Sequence, residues 1–320
     1  MIRIRPFDGS DADFEAIVAV ANAVWPDEPV NVEMLRHWES TRDPKYYFRR
    51  ILAEMDGEVV ASATYGDSRW AHVPGKTRIM IQVRPDDQRR GVGTALYDHI
   101  VEAVSHRDPA PTQYTSSARE DHEGSIRFLE SRGFEVIMRD RASVLRLDDF
   151  DPSRFADALA RVEEQGISVR SMPGIQAEDP EWRRRFFDLS WEIERDVPCD
   201  DPPTRQSDET YEKELNGPGF LPEACLIAMD GDRWVGLSML WKIPSEPDKL
   251  YTALTGVSRS HRRRGIATAL KARCLGVAKE LGYRRVGTDN EEKNPMYELN
   301  VALGFRPKPG WMHFKKFLEG

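Results

Sequence analysis

The sequence predicts a mixed α/β protein made of two consecutive copies of one fold, each a mostly antiparallel, twisted sheet flanked by helices. The main observation is an internal repeat, because residues 83–96 recur as residues 257–270 at an offset of 174 positions. Two shorter landmarks repeat at nearly the same spacing: Met55-Asp56-Gly57 with Met229-Asp230-Gly231, and Gly133-Phe134 with Gly304-Phe305. The 320 residues suffice for two domains of ~150 residues, which we expect at 1–150 and 151–320.

The composition excludes several classes of protein. Lys and Arg number 46 against 54 Asp and Glu, and the net charge of −8 disfavours general binding to nucleic acid or anionic membranes. No apolar stretch approaches the ~20 residues of a membrane-spanning helix, and the three scattered cysteines show no metal-ligand pattern. We therefore expect a cytoplasmic protein without a metal ion. Two fused copies can shield each other's sheet edges, so we expect a monomer or a homodimer.

The first copy alternates strand and helix patterns. It is predicted to begin with a strand at residues 3–5 and a helix at residues 11–24, where apolar residues recur at helical spacing. Asp56-Gly57, a dipeptide typical of tight hairpins, separates two predicted strands at 51–55 and 58–65. The remaining predicted elements are a strand at 78–83, a helix ending near Ser105, a short helix at 125–131 and a closing strand at 144–147.

The second copy follows the same order. Its predicted elements are a strand near Val169, a helix at 182–193, a hairpin around Asp230-Gly231, a strand at 251–257 and the helix of the repeat. Residues 151–165, between the copies, carry apolar residues at helical spacing and end at Gly166. This pattern predicts an amphipathic linker helix.

The repeated segment places a glycine-containing turn between a strand and a helix. Free backbone N–H groups at a helix N-terminus carry partial positive charge and form an anion site. The small residues Gly91 and Gly93, and likewise Gly265 and Ala267, let a phosphate approach the backbone. Neighbouring arginines attract a polyphosphate. The run 262–264 also fits a solvated charge run or a nucleic-acid patch, which the net acidity disfavours.

At this turn the sequence resembles the GNAT superfamily of N-acetyltransferases, whose signature is Gln/Arg-x-x-Gly-x-Gly/Ala. The matching residues are Gln88, Gly91 and Gly93 in the first copy and Arg262, Gly265 and Ala267 in the second. The resemblance implies that backbone amides of the turn hold the pyrophosphate of acetyl-CoA. It also implies that the preceding strand diverges from its neighbour and pairs with the pantetheine arm. The Gly-Phe pairs match a second family landmark, so the resemblance covers both copies.

The resemblance implies which residues contact acetyl-CoA, the acyl donor. In the first copy they are Val83, Gln88, Arg89, Arg90, Gly91, Val92, Gly93 and Thr94. In the second copy they are Val257, Arg262, Arg263, Arg264, Gly265, Ile266, Ala267, Thr268, Asn290 and Asn294. Asn294 precedes a proline, which is also typical of a helix start, so that both roles stay open for it.

Acyl transfer from a thioester to an amine needs a base for the amine proton and donors for the charge that develops on the carbonyl oxygen. A strand-end N–H, of Val83 or Val257, can stabilise that oxygen. In this family the acid is often a Tyr four residues before the Gly of Gly-Phe, where this sequence has Leu129 and Asn300. Asn300 could hydrogen-bond the sulfur. Tyr297, one helical turn earlier, is either the substitute acid or a core residue.

The base is sought after the first long helix of the second copy, where the candidates are Glu192, Glu194 and Asp196, with Asp196 preferred. The acidic segment continues through residues 198–203, by resemblance the substrate-facing region, and its charge suits a cationic amine. The alternative is a solvated loop with helix-end charges. In the first copy the equivalent candidates are Glu28, Glu33, His37 and Glu39.

The resemblance and the residues together predict an acetyl-CoA-dependent N-acetyltransferase that acts on the primary amine of a small molecule. Leu129 cannot donate a proton, which favours the second copy as the catalytic half. Two alternatives stay open at this stage. One is a non-catalytic CoA-binding or regulatory protein, favoured by the missing tyrosine, and the other is a protein or peptide N-acetyltransferase.

Overall fold

The structure, a computed structural model, describes residues 1–318. The first half of the chain contains β1 (Ile2–Pro6), α1 (Asp11–Val24), α2 (Val32–Ser40), β2 (Phe48–Met55), β3 (Glu58–Gly66), β4 (Lys76–Val83), α3 (Val92–Ser105), β5 (Gln113–Arg119), α4 (Glu123–Glu130) and β6 (Glu135–Arg146). The second half contains α5 (Ala156–Glu164), β7 (Ile167–Ser171), α6 (Met172–Glu178), α7 (Trp182–Glu194), α8 (Asp208–Leu215), β8 (Phe220–Asp230), β9 (Arg233–Lys242), β10 (Lys249–Val257), α9 (Ile266–Glu280), β11 (Arg285–Glu291), α10 (Met296–Ala302) and β12 (Arg306–Phe317).

These elements divide into two compact units. Unit 1 consists of residues 1–139, 200–206 and 311–318, and unit 2 consists of residues 140–199 and 207–310. The units therefore differ from the sequence ranges 1–150 and 151–320. Strands β6 and β12 are the physical reason, since each crosses a unit boundary at its middle and pairs there with a strand of the unit that it enters.

The sheet of unit 1 has the strand order β1-β2-β3-β4-β5-β12. Its neighbours pair in antiparallel fashion except β4 and β5, which run parallel. The hairpin between β2 and β3 turns at Asp56 and Gly57, both with positive φ, as the sequence predicts. Consecutive residues of β2 point to opposite faces, so that Ile51 packs with α3 in one core and Leu52 with α1 in another.

The sheet of unit 2 has the order β6-β11-β10-β9-β8-β7, again antiparallel except for the parallel pair β10 and β11. Leu226 of β8 faces a core that contains Leu270 and Leu275 of α9. The next residue, Ile227, faces the opposite core, together with Phe186 of α7. Both units thus have a mixed sheet with a helical layer on each face.

The predicted fold class is confirmed, and the differences are local. Helix α1 has its predicted bounds, and Ser10 caps it by accepting a hydrogen bond from the Asp13 backbone N–H. The linker helix is shorter than predicted, because Pro152–Phe155 forms a separate 3-10 turn before α5. Helices α2 and α8 were not predicted; both are short and rich in charged residues, which leaves a weak apolar pattern.

Candidate active site

The strand-to-helix turns of the two units have the same backbone conformation. Arg89 and Gly91 have φ values of 61° and 84°, and Arg263 and Gly265 have values of 64° and 81°. These are left-handed conformations, which glycine adopts without steric cost. A Cβ at Gly91 would meet no atom within 4 Å. The backbone conformation, rather than crowding, therefore requires glycine at this position.

Each turn is closed by a side chain that bonds back to the end of the preceding strand. Gln88 Nε2 donates to the carbonyl oxygen of Val83 at 3.1 Å. Arg262 Nε donates to the carbonyl oxygen of Val257, also at 3.1 Å. Gln88 and Arg262, which the sequence predicts as cofactor residues, therefore hold the turn in shape in both units.

The first turns of α3 and α9 provide the donors for an anion. No side chain caps either helix, since the N-cap residues are Gly91 and Gly265. The leading N–H groups of a helix have no partner within it and carry its partial positive charge. The side chains of Val92 and Ile266 are buried in the cores. These two predicted cofactor residues can thus offer a ligand only their backbone.

The next small position serves packing. A Cβ at Gly93 would lie 3.4 Å from the ring of Phe128, an ordinary van der Waals distance. Ala267 occupies the matching position in unit 2. The following residue in unit 1, Thr94, accepts a hydrogen bond from the guanidinium of Arg132 at 2.8 Å. A Cβ therefore fits at this position, as Ala267 shows in unit 2, whereas a longer side chain would meet Phe128 in unit 1.

The two turns differ in charge. Residues 84–91 carry a net charge of +1, whereas residues 258–265 carry +4. In unit 1 the buried carboxylate of Asp87, already counted in that sum, accepts hydrogen bonds from Arg84 at 2.9 Å and Arg90 at 2.8 Å. In unit 2 Asp196, outside the counted range, binds Arg259 and Arg262, and including it leaves a net charge of +3. A polyphosphate is therefore attracted more strongly to the turn of unit 2.

In both units the strand before the turn diverges from its parallel neighbour. Strand β4 pairs with β5 through three residues, from Lys76 to Arg78. Strand β10 pairs with β11 through three residues, from Lys249 to Tyr251. Beyond these pairs both strands continue toward the turn, and within residues 1–318 no further pairing is recorded on that side. The expected opening between the two parallel strands, called the splay below, is present in unit 1 and in unit 2.

Unit 2 has a β-bulge at the splay. Between Thr252 and Leu254 the register of β10 against β9 shifts by one residue, which leaves Ala253 extra. The bulge also explains a change in the spacing of the repeat. Lys76 and Lys249 are 173 positions apart, whereas the turn glycines Gly91 and Gly265 are 174 apart, so unit 2 has one extra residue between the two points. Strand β4 has a continuous register at this place. Bulges occur preferentially beside active sites, where they redirect backbone groups.

Backbone N–H groups at the ends of both strands face the splay. The Ser258 N–H donates to the Val235 carbonyl oxygen at 2.8 Å, and Arg84 N–H donates to Val60 in the same way at 3.0 Å. In an antiparallel ladder alternate residues bond to the same neighbour. The N–H groups of Val257 and Val83 therefore point away from that neighbour. This orientation is the one needed for the predicted oxyanion donors.

A carboxylate that the sequence reasoning missed lies beside the splay of unit 2. Asp289 of β11 accepts a hydrogen bond from the hydroxyl of Tyr251 at 2.8 Å. The sequence search for a base considered the strand before the turn and not the strand across the splay. The signal was present in Thr288-Asp289-Asn290, a polar run inside a strand pattern. In unit 1 the register places Ser117 at the position of Asp289.

Two of the predicted amides meet on the other side of β11. Asn300 of α10 is completely buried, and its Nδ2 donates to Asn290 Oδ1 at 2.6 Å. Among residues 1–318, no hydrogen-bond partner is recorded for the Oδ1 of Asn300. A buried acceptor without a partner is costly unless a ligand satisfies it. Asn294 Oδ1 accepts from the Met296 N–H at 3.0 Å, which is the helix-start role left open above.

The other predicted catalytic side chains have structural partners. Both Asp196 oxygens bind arginines, Arg259 and Arg262, and these hydrogen bonds lower the pKa of Asp196 to about 2. A carboxylate with so low a pKa is a weak base, and its position suits it to hold Arg262 instead. Tyr297 is half-buried, with the guanidinium of Arg141 5.0 Å from its ring centroid. Its role as an acid stays a prediction.

The carboxylates of the acidic segment that was predicted to face the substrate bind a buried lysine. Residues 200–206, called the strap below, belong to unit 1. Lys76 Nζ, almost fully buried, donates to Asp200 at 2.8 Å and to Asp201 at 2.5 Å. Thr204 Oγ1 accepts from the His72 N–H at 2.9 Å. Lys315 Nζ lies 3.7 Å from Asp200 and 3.5 Å from Asp201, so Lys76 and Lys315 together balance the two carboxylates. Little charge is left to attract a cationic amine.

Within 1–318, no group of three or more His, Cys, Asp or Glu side chains is arranged to hold a metal ion. Over the same residues, no helix combines the length and apolar character needed to cross a bilayer.

Two units that each combine a splayed pair of parallel strands with an uncapped, glycine-containing helix start define a tandem protein of the acetyl-CoA-binding type. The chain belongs to the acetyltransferase (GNAT) family, whose model matches residues 12–134 and again residues 183–305. It is accordingly an acetyl-CoA-dependent N-acetyltransferase. The family resemblance noted in the sequence is thereby confirmed for both copies.

Individual relatives agree with this assignment. The chain is 29% identical over 137 residues to an L-methionine sulfoximine/L-methionine sulfone acetyltransferase of Pseudomonas aeruginosa, covering 40% of this chain and 78% of the relative. It is 24% identical over 261 residues to a mycothiol acetyltransferase of Actinosynnema mirum, covering 80% of this chain and 79% of that one.

Solved structures show the same fold over the whole chain. A tandem GNAT protein from the clavulanic acid biosynthesis pathway has a TM-score of 0.77 at 19% identity, covering 100% of this chain and 99% of that chain. A GCN5-related N-acetyltransferase from Sphaerobacter thermophilus has a TM-score of 0.72 at 19% identity, covering 100% and 96%. At these identities the likeness concerns the fold alone.

Proposed function

We propose that this protein transfers the acetyl group of acetyl-CoA to the primary amine of a small molecule, and that unit 2 carries out the reaction. The observation that carries the choice of unit 2 is the Tyr251–Asp289 pair beside the splay, at a position where unit 1 has a serine. The charge of the second turn and the bulge at Ala253 support the same choice.

The acceptor class is supported by the relatives. The names of the Pseudomonas and Actinosynnema enzymes both specify small molecules as the compounds acetylated. The neutralised carboxylates of the strap argue against a strongly acidic acceptor loop. We therefore propose a small amine whose binding does not depend on a large positive charge.

Each group in unit 2 has a defined task in this proposal. Acetyl-CoA supplies the activated acetyl group. The N–H groups at the start of α9, with Arg263 beside them, hold its pyrophosphate. The buried amide of Asn300, positioned by Asn290, accepts a hydrogen bond along the pantetheine path and satisfies its own free oxygen.

The reacting groups are the carboxylate of Asp289 and the N–H of Val257. An alkyl amine with a pKa near ~10.4 is about a thousandfold protonated at neutral pH, so its proton must be removed before attack. Asp289, oriented by the Tyr251 hydroxyl, accepts that proton directly or through a water. The Val257 N–H stabilises the carbonyl oxygen as negative charge develops on it while the amine nitrogen bonds to the carbonyl carbon. The carbon–sulfur bond then breaks, and CoA leaves as the thiolate, which takes a proton from water. Asp196 does not take part in the proton transfer.

A matched pair of turn variants tests the choice of unit. Arg89 and Arg263 have the same backbone conformation and both are exposed, so that a glutamate at either position should leave the fold intact. We expect Arg263→Glu to raise KM for acetyl-CoA by about tenfold or more and Arg89→Glu to change it little. The assay is CoA thiol release with a panel of small amines. The reverse result would assign the reaction to unit 1.

A variant of Asp289, on the strand across the splay, tests its role as the base. Asp289→Asn should lower kcat by roughly 10²–10³-fold and remove the acidic limb of the pH profile, with KM for acetyl-CoA little changed. Glu291→Gln, two residues along β11, is the control and should retain activity. Unchanged turnover of Asp289→Asn would refute the assignment. Binding of acetyl-CoA without turnover of any amine would favour a regulatory protein. Turnover of peptides alone would favour a protein acetyltransferase.

A further inference from the structure

A cavity beside the phosphate turn of unit 2 is built in part by the linker helix. It has a volume of about 410 Å³, with α5 on one side and the turn and first turn of α9 on the other. Gln165, just after α5, joins the two sides, because its Oε1 accepts from Arg264 Nε at 2.9 Å and its Nε2 donates to the Arg264 carbonyl oxygen at 3.2 Å. Val162 of α5 is completely buried in the core of α9.

The cavity is strongly basic. Arg161 of α5 lines it together with Arg263 and Arg264 of the turn. Arg264 is held by Gln165, whose Nε2 also donates to the Arg161 carbonyl oxygen at 2.7 Å. The guanidinium groups of Arg161 and Arg263 are exposed, and within residues 1–318 they have no recorded hydrogen bond or ion pair. Guanidinium groups gathered in a concave site without carboxylate partners attract a multiply charged anion.

The position of the cavity indicates which part of the acyl donor it could bind. None of its lining residues comes from β10, β11 or α10, which carry the groups assigned to the pantetheine arm and to the reaction. In coenzyme A the pyrophosphate separates the pantetheine arm from an adenosine that bears a 3′-phosphate. With the pyrophosphate at the turn and the arm in the splay, the cavity is left for the 3′-phosphorylated nucleotide.

We infer that the linker helix is part of the acyl-donor site and that Arg161 binds the 3′-phosphate of coenzyme A. The inference rests on the proposed function of unit 2. A 3′-phosphate is an anion at neutral pH, and a guanidinium binds phosphate through two parallel hydrogen bonds. Arg161 would therefore discriminate coenzyme A from 3′-dephospho-coenzyme A, while the turn binds the pyrophosphate that both share.

The test compares two ligands across the wild type and three variants. Coenzyme A and 3′-dephospho-coenzyme A are titrated calorimetrically into the full chain, its Arg161→Ala variant and the control Arg154→Ala. Arg154 is an exposed arginine of the same linker that does not line the cavity. We expect the wild type to bind coenzyme A about tenfold more tightly than the dephospho form. Arg161→Ala should lose this preference without weakening the dephospho form, and Arg161→Lys should retain part of it.

Other outcomes are distinguishable. If Arg161→Ala weakens both ligands equally, or neither, Arg161 does not bind the 3′-phosphate and the inference fails. If Arg154→Ala loses the preference to the same extent, the effect is general electrostatics and the inference also fails. If the wild type binds neither ligand, the proposed function itself is refuted.

Discussion

Replacing Lys271 by methionine should stabilise the protein at neutral pH, because this lysine is buried without a partner for its charge. Lys271 lies on the inner face of α9 and is 1% exposed. Within residues 1–318 no hydrogen-bond partner is recorded for its Nζ, which lies 5.5 Å from the ring centroid of Phe305. Burial lowers the pKa of Lys271 to about 7. The first copy has an uncharged residue, Tyr97, at the matching position.

The sign and size of the effect follow from this pKa. The ordinary pKa of the side chain is 10.5. Between pH 7 and this value the unfolded chain holds a proton that the folded protein has released, so the free energy of unfolding rises with pH. Each pKa unit corresponds to about 1.36 kcal/mol, and burial of Lys271 therefore costs up to about 5 kcal/mol at pH 7 and below. Methionine has a similar shape and no charge, and Lys271→Met should regain about 2–5 kcal/mol there.

Urea unfolding followed by tryptophan fluorescence measures this difference. The stability gap between Lys271→Met and the wild type should shrink by roughly 1.4 kcal/mol per pH unit as the pH rises from about 7 to 9. Lys279→Met, an exposed position on the same helix, is the control and should show no such change of gap. A variant with the same pH dependence as the wild type, or one less stable at pH 7, would refute the reasoning.

Three further predictions concern other polar groups. Asp196→Asn should weaken acetyl-CoA binding about threefold to tenfold without abolishing turnover, since it frees Arg262 rather than removing a base. The pKa of Asp196 is lowered to about 2, so its ionised carboxylate stabilises the folded protein by about 1 kcal/mol above pH 3.8. This stabilisation is lost as the pH falls toward 2. In acid titration Asp196→Asn should therefore show no such loss of stability. Asn300→Leu should raise KM for acetyl-CoA by about tenfold while the melting temperature moves little, because one buried hydrogen bond and one unsatisfied oxygen disappear together; a large fall in melting temperature with an unchanged KM would contradict this. Lys76→Met removes the buried lysine that donates to both strap carboxylates, which leaves Lys315 to pair with them, and should destabilise the protein by about 1–3 kcal/mol in calorimetric unfolding. A strap that tolerates the change would show that its carboxylates reach water instead.

Local sequence signals were sufficient to predict the repeated fold. The hairpin dipeptide and the apolar periodicity of α1 depend on neighbouring residues, and the repeat is visible when two stretches of the sequence are compared. Each appears in the structure as expected. The turn glycines Gly91 and Gly265 were found for the same reason, since a left-handed helix start selects glycine at one position. Asn300 was singled out by its distance from Gly304, and it is buried beside another predicted amide.

Other features depend on contacts that no local pattern encodes. The crossing of β6 and β12 from one unit to the other, and the contacts of the strap, both join residues that are distant in the sequence. Lys76, for example, binds carboxylates that lie more than 120 positions away. Asp289 was missed because only tertiary structure shows that β11 borders the splay. Lys271 was not singled out in the sequence, because nothing in its immediate neighbourhood marks it as buried. Its burial follows from the orientation of α9, which a single charge in a helix does not reveal.

The two units show how one scaffold can keep its geometry and still differ in chemistry. Both turns have the same backbone dihedral angles and the same bond to the strand end, so conformation alone cannot assign the reaction. In unit 1 a carboxylate, Asp87, offsets the arginines of the turn, and Leu129 and Ser117 stand where unit 2 has Asn300 and Asp289. The groups that we propose to bind the acyl donor and to move protons are thus concentrated in unit 2. This asymmetry is the physical reason to expect that a change of charge at the turn of unit 2, and not at that of unit 1, raises KM for acetyl-CoA.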